Sequence, residues 1–275
     1  MRYLRRAAPA PAATFPEEHP VSTTSSRRRF LTTALTTGLT VGTGTAVLTA
    51  CAGASPSSTP VASADSAPPS GSVPPSADPV LNGEQALARL VEGNARFVAD
   101  REERLDEGVA RRVAVSKGQH PFATVLGCVD SRVPIELVFD QGLGDLVVVR
   151  SAGEALDHSV TGSLEFGVAE LHTPLLVVLG HQRCGALDAT IKALDTHQRT
   201  AEAGQIGYLV EALTPAVRQV AGKPGDRLTN AIHANINLVL AELRRSPVIA
   251  PLEKSGKLKL VGAYYELDTG QVHLT

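Results

Sequence analysis

The stretch Pro174-Leu-Leu-Val-Val-Leu-Gly-His181-Gln-Arg-Cys184-Gly185 decides the fold. Its apolar half is short, as in a buried strand, and a helical pattern begins at Cys184. An apolar run at 122–127 is likewise followed by polar residues, Cys128-Val-Asp-Ser-Arg132, and by a helical pattern. Strands that alternate with helices predict right-handed crossovers, and therefore an α/β fold with a mostly parallel central sheet flanked by helices.

The remaining apolar patterns extend this alternation along residues 81–275. Two more buried strands and a C-terminal hairpin are expected at 145–149, 258–263 and 261–274. Helical spacing predicts helices at 82–98, 108–116, 134–139, 160–171, 184–194, 205–220 and 227–244.

Three potential metal ligands follow two of the predicted strands. Cys128 and His181 lie at the carboxyl ends of the first and third strands, where open α/β sheets bind their ligands. Cys184 follows one helical turn after His181, so all three side chains can meet one ion. Three protein ligands are typical of a catalytic zinc, which keeps its fourth position open. The alternative is that both cysteines are small buried apolar residues and His181 is a hydrogen-bonded core histidine.

Asp130 and Arg132 are expected to act beside this metal. They are separated by one residue, so their side chains can lie on one side and form a pair with two hydrogen bonds. Arg132 would keep Asp130 ionised and direct its free lone pair at zinc-bound water, which makes Asp130 the expected proton acceptor. An ordinary ion pair is the alternative. Without Arg132, Asp130 would become a fourth zinc ligand and close the site.

These motifs together resemble the β-class carbonic anhydrases over about residues 81–272. The resemblance rests on Cys128-x-Asp130-x-Arg132, His181-x-x-Cys184-Gly185, Glu136, Phe139-Asp140, Arg150-Ser-Ala-Gly153 and Ser163-Leu-Glu165-Phe166. It implies Zn²⁺ as cofactor and the reversible hydration of CO₂ to bicarbonate by zinc-bound hydroxide. It also implies a homodimer or a tetramer, in which an N-terminal helical arm embraces the neighbouring subunit.

The resemblance assigns roles to further residues. Gln119 lies where family members have a glutamine that donates a hydrogen bond to the substrate, although a solvated loop glutamine is equally compatible with the sequence. Gly185 would allow close approach of the backbone beside the metal. His120 and His158 are the histidines nearest these motifs in sequence, and they are candidates for carrying the proton to solvent.

Two positions depart from the family pattern. Glu154 replaces the usual Asn or His, so a different charge is expected at the entrance to the site. Val125 stands where the members with an inhibitory bicarbonate pocket have Trp, which argues against that regulation.

The first 80 residues are typical of an export and anchoring segment. Residues 1–50 contain Arg27-Arg28-Arg29-Phe30 and an uncharged stretch from 31 to 50, as in twin-arginine signals. Leu48-Thr-Ala-Cys51 resembles a lipoprotein cleavage site, which predicts that lipid on Cys51 anchors the chain on the extracytoplasmic side of the membrane. Residues 51–80 are rich in Ser, Pro and Ala and are predicted to form a disordered tether with a reach of about 30 Å. A transmembrane anchor or a secreted soluble protein is the alternative.

Composition and cysteine usage limit the functions to be considered. A net charge of −2 with no basic stripe gives no basis for a nucleic-acid partner. Of the three cysteines, Cys51 is assigned to lipid, so none remains to form a disulfide with the two proposed ligands. Two alternatives to CO₂ hydration stay open: hydrolysis of CS₂ or COS on the same fold, and a non-catalytic zinc or redox module of the cell envelope.

Overall fold

The computed structural model describes residues 81–103, 107–196 and 204–275, which form a five-stranded sheet with helices on both faces. The predicted signal (1–50), the tether (51–80) and Cys51 lie outside the described residues. The strands are β1 (Ala123–Gly127), β2 (Leu146–Arg150), β3 (Leu175–His181), β4 (Lys259–Tyr265) and β5 (Val272–Leu274). The helices are α1 (Gly83–Val98), α2 (Val109–Val115), α3 (Ile135–Val138), α4 (His158–Ala169), α5 (Gly185–Asp195), α6 (Gln205–Gln219), α7 (Arg227–Leu243) and α8 (Ile249–Lys254).

The sheet has the strand order β2-β1-β3-β4-β5. The pairs β1–β2, β1–β3 and β3–β4 are parallel, and β5 adds to β4 as the antiparallel half of a hairpin. The chain leaves β1 toward β2 on one side and returns to β3 on the other, so the strand order reverses between β1 and β3. A crevice forms at such a switch point, outside the carboxyl ends of the strands.

Alternating residues of the central strands build two apolar layers. On β3, Leu176 and Val178 face a core shared with α4, α5, α6 and α7, whereas Leu175, Val177 and Leu179 face a core shared with α1 and α3. Every residue of β1 and β3 is buried, as expected for central parallel strands. The predicted α/β architecture is confirmed.

Helix α1 begins at a capping box and packs against its own sheet. The Asn82 side chain accepts a hydrogen bond from the Gln85 backbone N–H, and the Gln85 side chain accepts one from the Asn82 N–H. Ala86 and Leu90 are buried in the core that also contains Val125. Val125 therefore fills space beneath α1, at the position where some family members have Trp.

Two elements were not predicted from the sequence. Helix α8 is only six residues long and contains Pro251, so it shows no helical periodicity. A 3-10 turn at Ala152–Glu154 connects β2 to α4 and depends on two consecutive left-handed residues. Among the described residues, no helix combines the length and the apolar character needed to cross a membrane.

Candidate metal centre

Cys128, His181 and Cys184 come together at the switch point between β1 and β3. Gly127 pairs with Leu179, so Cys128 lies level with the end of β3, where His181 is the last residue. Cys184 is the N-cap of α5. The two sulfur atoms and a ring nitrogen all lie within 4.8 Å of one another, and all three side chains are buried. The distances suit a single ion, and the donor set is one that zinc prefers.

His181 has one nitrogen with a partner and one without. Nδ1 lies 3.0 Å from the Gln182 carbonyl oxygen, and because a carbonyl can only accept, Nδ1 carries the hydrogen. Nε2 therefore keeps a free lone pair, although it is fully buried and has no hydrogen-bond partner among the described residues. Such an orphaned atom is costly in a protein interior unless it binds something. A metal ion between Nε2 and the two thiolates accounts for it.

Neither thiol takes part in a disulfide. The pKa of Cys128 is lowered to about 4, chiefly because the Cys184 thiol donates to it, with further donation from the Gly153 N–H at 3.3 Å. The pKa of Cys184 is raised, because the same hydrogen bond and its burial both favour its protonated form. Binding of a cation would release the second proton.

Asp130 is held beside the ligands by Arg132. The Arg132 Nε donates to Asp130 Oδ1 at 3.0 Å, Nη2 donates to Oδ2 at 2.7 Å, and the backbone N–H donates to Oδ1 at 2.9 Å. These bonds lower the pKa of Asp130 to about 2. Oδ2 lies 3.9 Å from His181 Nε2 and accepts only one hydrogen bond, so a lone pair stays free. Arg132 thus holds both carboxylate oxygens.

Arg150 also shapes this loop; in the sequence it belongs to the motif Arg150-Ser-Ala-Gly153, for which no individual role was predicted. It is the last residue of β2, and its guanidinium donates to the carbonyls of Cys128 at 2.7 Å and of Asp130 at 2.6 Å. These two hydrogen bonds hold the backbone of Cys128 and Asp130, and so help to fix the positions of their side chains. The feature of the sequence that could have indicated this role is an arginine at the end of the strand beside β1, the strand that leads into Cys128.

A cavity of about 280 Å³ opens beside the centre. Its wall is mainly apolar, and Gly185 contributes to it at the start of α5. A Cβ atom at Gly185 would meet no other atom within 4 Å, so packing within the described residues does not demand a glycine there. The absence of a side chain at this position enlarges the cavity. The lining residues are Cys128, Val129, Asp130, Ala152, Gly185, Ala186, Ala189, Ile206, Leu209 and Val210.

Two predicted residues, Gln119 and His120, are not brought to Cys128, His181 and Cys184 within the chain. Gln119 is exposed and precedes β1 by four residues, whereas Cys128 follows β1. The strand alone separates these two ends by roughly 17 Å, at about 3.3 Å per residue. His120 lies beside Gln119 at the same end, and His158 is an exposed residue at the start of α4.

The expectation that Glu154 sets the charge of the entrance was wrong. Glu154 is only 1% exposed and lies in the 3-10 turn next to Gly153, the residue that donates to Cys128. Its pKa is raised well above its usual range, first by burial and then by the Cys128 thiolate. The turn points the side chain inward because Gly153 and Glu154 both adopt positive φ, at 63° and 53°.

A buried Cys-His-Cys set at the strand ends of a parallel sheet defines a metal-binding α/β protein, and the comparisons identify its family. A model of the family described as carbonic anhydrase matches residues 123–272. A carbonic anhydrase of Mycolicibacterium smegmatis is 41% identical over 198 residues, which cover 71% of this chain and 95% of the relative. Carbonic anhydrase 2 of Mycobacterium tuberculosis is 38% identical over 200 residues, which cover 71% and 94%.

A solved structure agrees with these relatives. The β-carbonic anhydrase CcaA superposes with a TM-score of 0.55 and 27% identity, over 68% of this chain and 86% of that one. The chain belongs to the carbonic anhydrase family and to its β class. It is therefore an enzyme that acts on CO₂ and bicarbonate.

Proposed function

We propose that this enzyme hydrates CO₂ reversibly with a zinc ion held by Cys128, His181 and Cys184. The observation that carries the proposal is a His181 ring with a nitrogen within 4.8 Å of both sulfurs and with a buried Nε2 that has no hydrogen-bond partner among the described residues. A bound zinc supplies a coordinated water acidic enough to give hydroxide near neutral pH. Two thiolates and one neutral imidazole would hold the zinc and leave a fourth coordination position for substrate chemistry.

The chain's own side chains orient the reactants. Asp130 Oδ2 lies beside the ligand set and accepts one hydrogen bond, from Arg132, among the described residues, so it would be free to accept another from a water bound there and to orient that water. With a pKa of about 2, Asp130 does not retain a proton near neutral pH, so the proton continues to another group or to solvent. The apolar residues Ala186, Ile206 and Leu209 offer a small apolar substrate a cavity wall next to Asp130.

Stopped-flow measurement of CO₂ hydration by the zinc-loaded protein, above pH 8, tests this function. We expect rapid hydration of CO₂, with hydrolysis of CS₂ and COS much slower in the same preparation. Hydrolysis of CS₂ or COS without measurable CO₂ hydration would assign the site to that reaction instead. If all three substrates remained unchanged at full zinc occupancy, the proposed catalysis would be wrong.

We also propose that a second copy of the chain completes the site with Gln119. Within one chain, Gln119 and Asp130 lie beyond opposite ends of β1, so a single subunit does not bring them together. In a twofold dimer, the same surface can place Gln119 of each subunit at the other subunit's centre. Its side-chain amide would donate a hydrogen bond to a substrate oxygen.

Mixing two inactive variants tests this arrangement. Gln119→Ala and Asp130→Asn should each lose most activity as homodimers. After the two are unfolded and refolded together, half of the dimers are mixed, and each mixed dimer has one intact site. Activity should recover to about one quarter of the wild-type value. Recovery no greater than the mean of the two separate variants would mean that Gln119 does not act across an interface.

We further propose that the domain is exported and anchored by lipid on Cys51. The support is the order of the sequence features: a twin-arginine motif, an uncharged stretch, Cys51 and a tether at 51–80. The full chain expressed in a bacterial host should fractionate with the membrane, and Cys51→Ala should not. Equal membrane association of both proteins would contradict lipid attachment at Cys51.

A further inference from the structure

The 3-10 turn at Ala152–Glu154 connects the metal centre to helix α7 through one residue. On one side of Gly153, its N–H donates to the Cys128 sulfur at 3.3 Å. On the other side, its carbonyl accepts a hydrogen bond from Asn235 Nδ2 at 2.8 Å. Gly153 is thus held between a ligand atom and a buried side chain on α7.

The turn needs such support because its conformation is unfavourable. Glu154 has a φ of 53°, in the left-handed region, which residues other than glycine adopt only at a cost in conformational energy. A Cβ atom on Gly153 would lie 2.8 Å from Leu213 Cδ1 and 3.2 Å from Ala186 Cβ, so the turn is also closely packed. Conformations of this kind persist where the surrounding structure holds them.

Asn235 is placed to do this. It is 4% exposed and lies on the buried face of α7, among the apolar residues Ala231, Ile232, Ile236 and Val239. A polar side chain in such surroundings is costly unless it is hydrogen-bonded. Its amide donates to the Gly153 carbonyl and lies 3.5 Å from Glu154 Oε2, so both of its contacts are to the turn.

We propose that Asn235 is a positioning residue of the metal centre, which holds the turn so that the Gly153 N–H donates to the Cys128 thiolate. Hydrogen bonds to ligand atoms orient the ligand and adjust how much charge it gives to the metal. Asn235 acts on the metal through two successive hydrogen bonds and touches neither the metal nor the substrate. This inference rests on the proposed zinc centre.

Binding of Co²⁺, a spectroscopic substitute for zinc, separates this role from a purely structural one. Asn235→Ala should weaken Co²⁺ binding about 10- to 100-fold in competition with a chelator, the range typical of lost partners of metal ligands. The thiolate-to-cobalt charge-transfer band should also shift. Asn230→Ala is the matched control, because Asn230 on the same helix donates to the Pro224 carbonyl instead. It should change neither the affinity nor the band.

The Co²⁺ measurements separate failure of the Asn235 proposal from failure of the zinc centre itself. If Asn235→Ala binds Co²⁺ with wild-type affinity and an unchanged band, Asn235 does not position the ligand, even if the variant unfolds more easily. If that variant does not fold, Asn235→Leu, which preserves the side-chain volume, is measured in its place with the same expectations. Failure of the wild-type protein itself to bind Co²⁺ would overturn the zinc centre, and this inference with it.

Discussion

Asp130→Asn is expected to keep zinc bound while CO₂ hydration slows by about 10²- to 10³-fold. Asn has the same shape, but its amide presents a donor where the carboxylate presents an acceptor. The hydrogen-bond acceptor that is lost is Oδ2, the atom 3.9 Å from His181 Nε2. Zinc content by atomic absorption and turnover by stopped flow measure the two effects separately.

Asp195→Asn is a matched control for this substitution. Asp195 also accepts hydrogen bonds on both oxygens from an arginine, Arg227, but it lies at the far end of α5. Its substitution should leave turnover unchanged. If Asp130→Asn kept wild-type turnover, Asp130 would have no catalytic role. A wild-type protein without turnover, together with an Asp130→Asn variant that changes nothing, would support the non-catalytic zinc module.

Arg132→Leu is expected to remove most activity by a different route. The Arg132 side chain donates one hydrogen bond to each oxygen of Asp130, and without these two bonds the carboxylate would turn toward the metal as a fourth ligand. Zinc would stay bound, and turnover would fall at least about 10²-fold, as expected when catalytic geometry is lost. In the Co²⁺ form, the absorption spectrum should no longer respond to added anions, because no position is open to them.

Arg132→Lys separates the effect of the positive charge from that of the paired hydrogen bonds. Arg132→Lys keeps the positive charge but cannot donate in the paired geometry, so an intermediate activity is expected. A spectrum of Arg132→Leu that responds to anions as the wild type does would show that Asp130 stays off the metal. Activity within a factor of two of wild type would show that Arg132 does not control the site.

The cluster of Cys128, His181 and Cys184 could be predicted from the sequence because strand order determines where these residues lie. Cys128 and His181 each follow an apolar run, and parallel strands bring such positions to one edge of a sheet. The Asp130–Arg132 pair is local, with a single residue between its members, so it too follows from spacing. The helices with clear apolar periodicity were predicted to within a few residues.

The buried residues behind the site, Glu154 and Asn235, could not be assigned their positions from the sequence, and the reason is physical. Glu154 faces inward because the turn after β2 takes up a left-handed conformation, and its anchor Asn235 lies 82 residues beyond Gly153. No local pattern encodes a contact at that separation. A single polar residue on the apolar face of the predicted 227–244 helix was the available signal, and it points to a partner without identifying it.

Titration of the metal-free protein with zinc, followed by CO₂ hydration at each step, tests the central claim most directly. Activity is expected to rise in proportion to bound zinc and to reach its plateau at one ion per chain. Cys184→Ala, which removes one ligand, should neither bind zinc tightly nor gain activity. Full turnover in the metal-free protein, or no turnover with one zinc bound per chain, would contradict zinc-dependent CO₂ hydration at this centre.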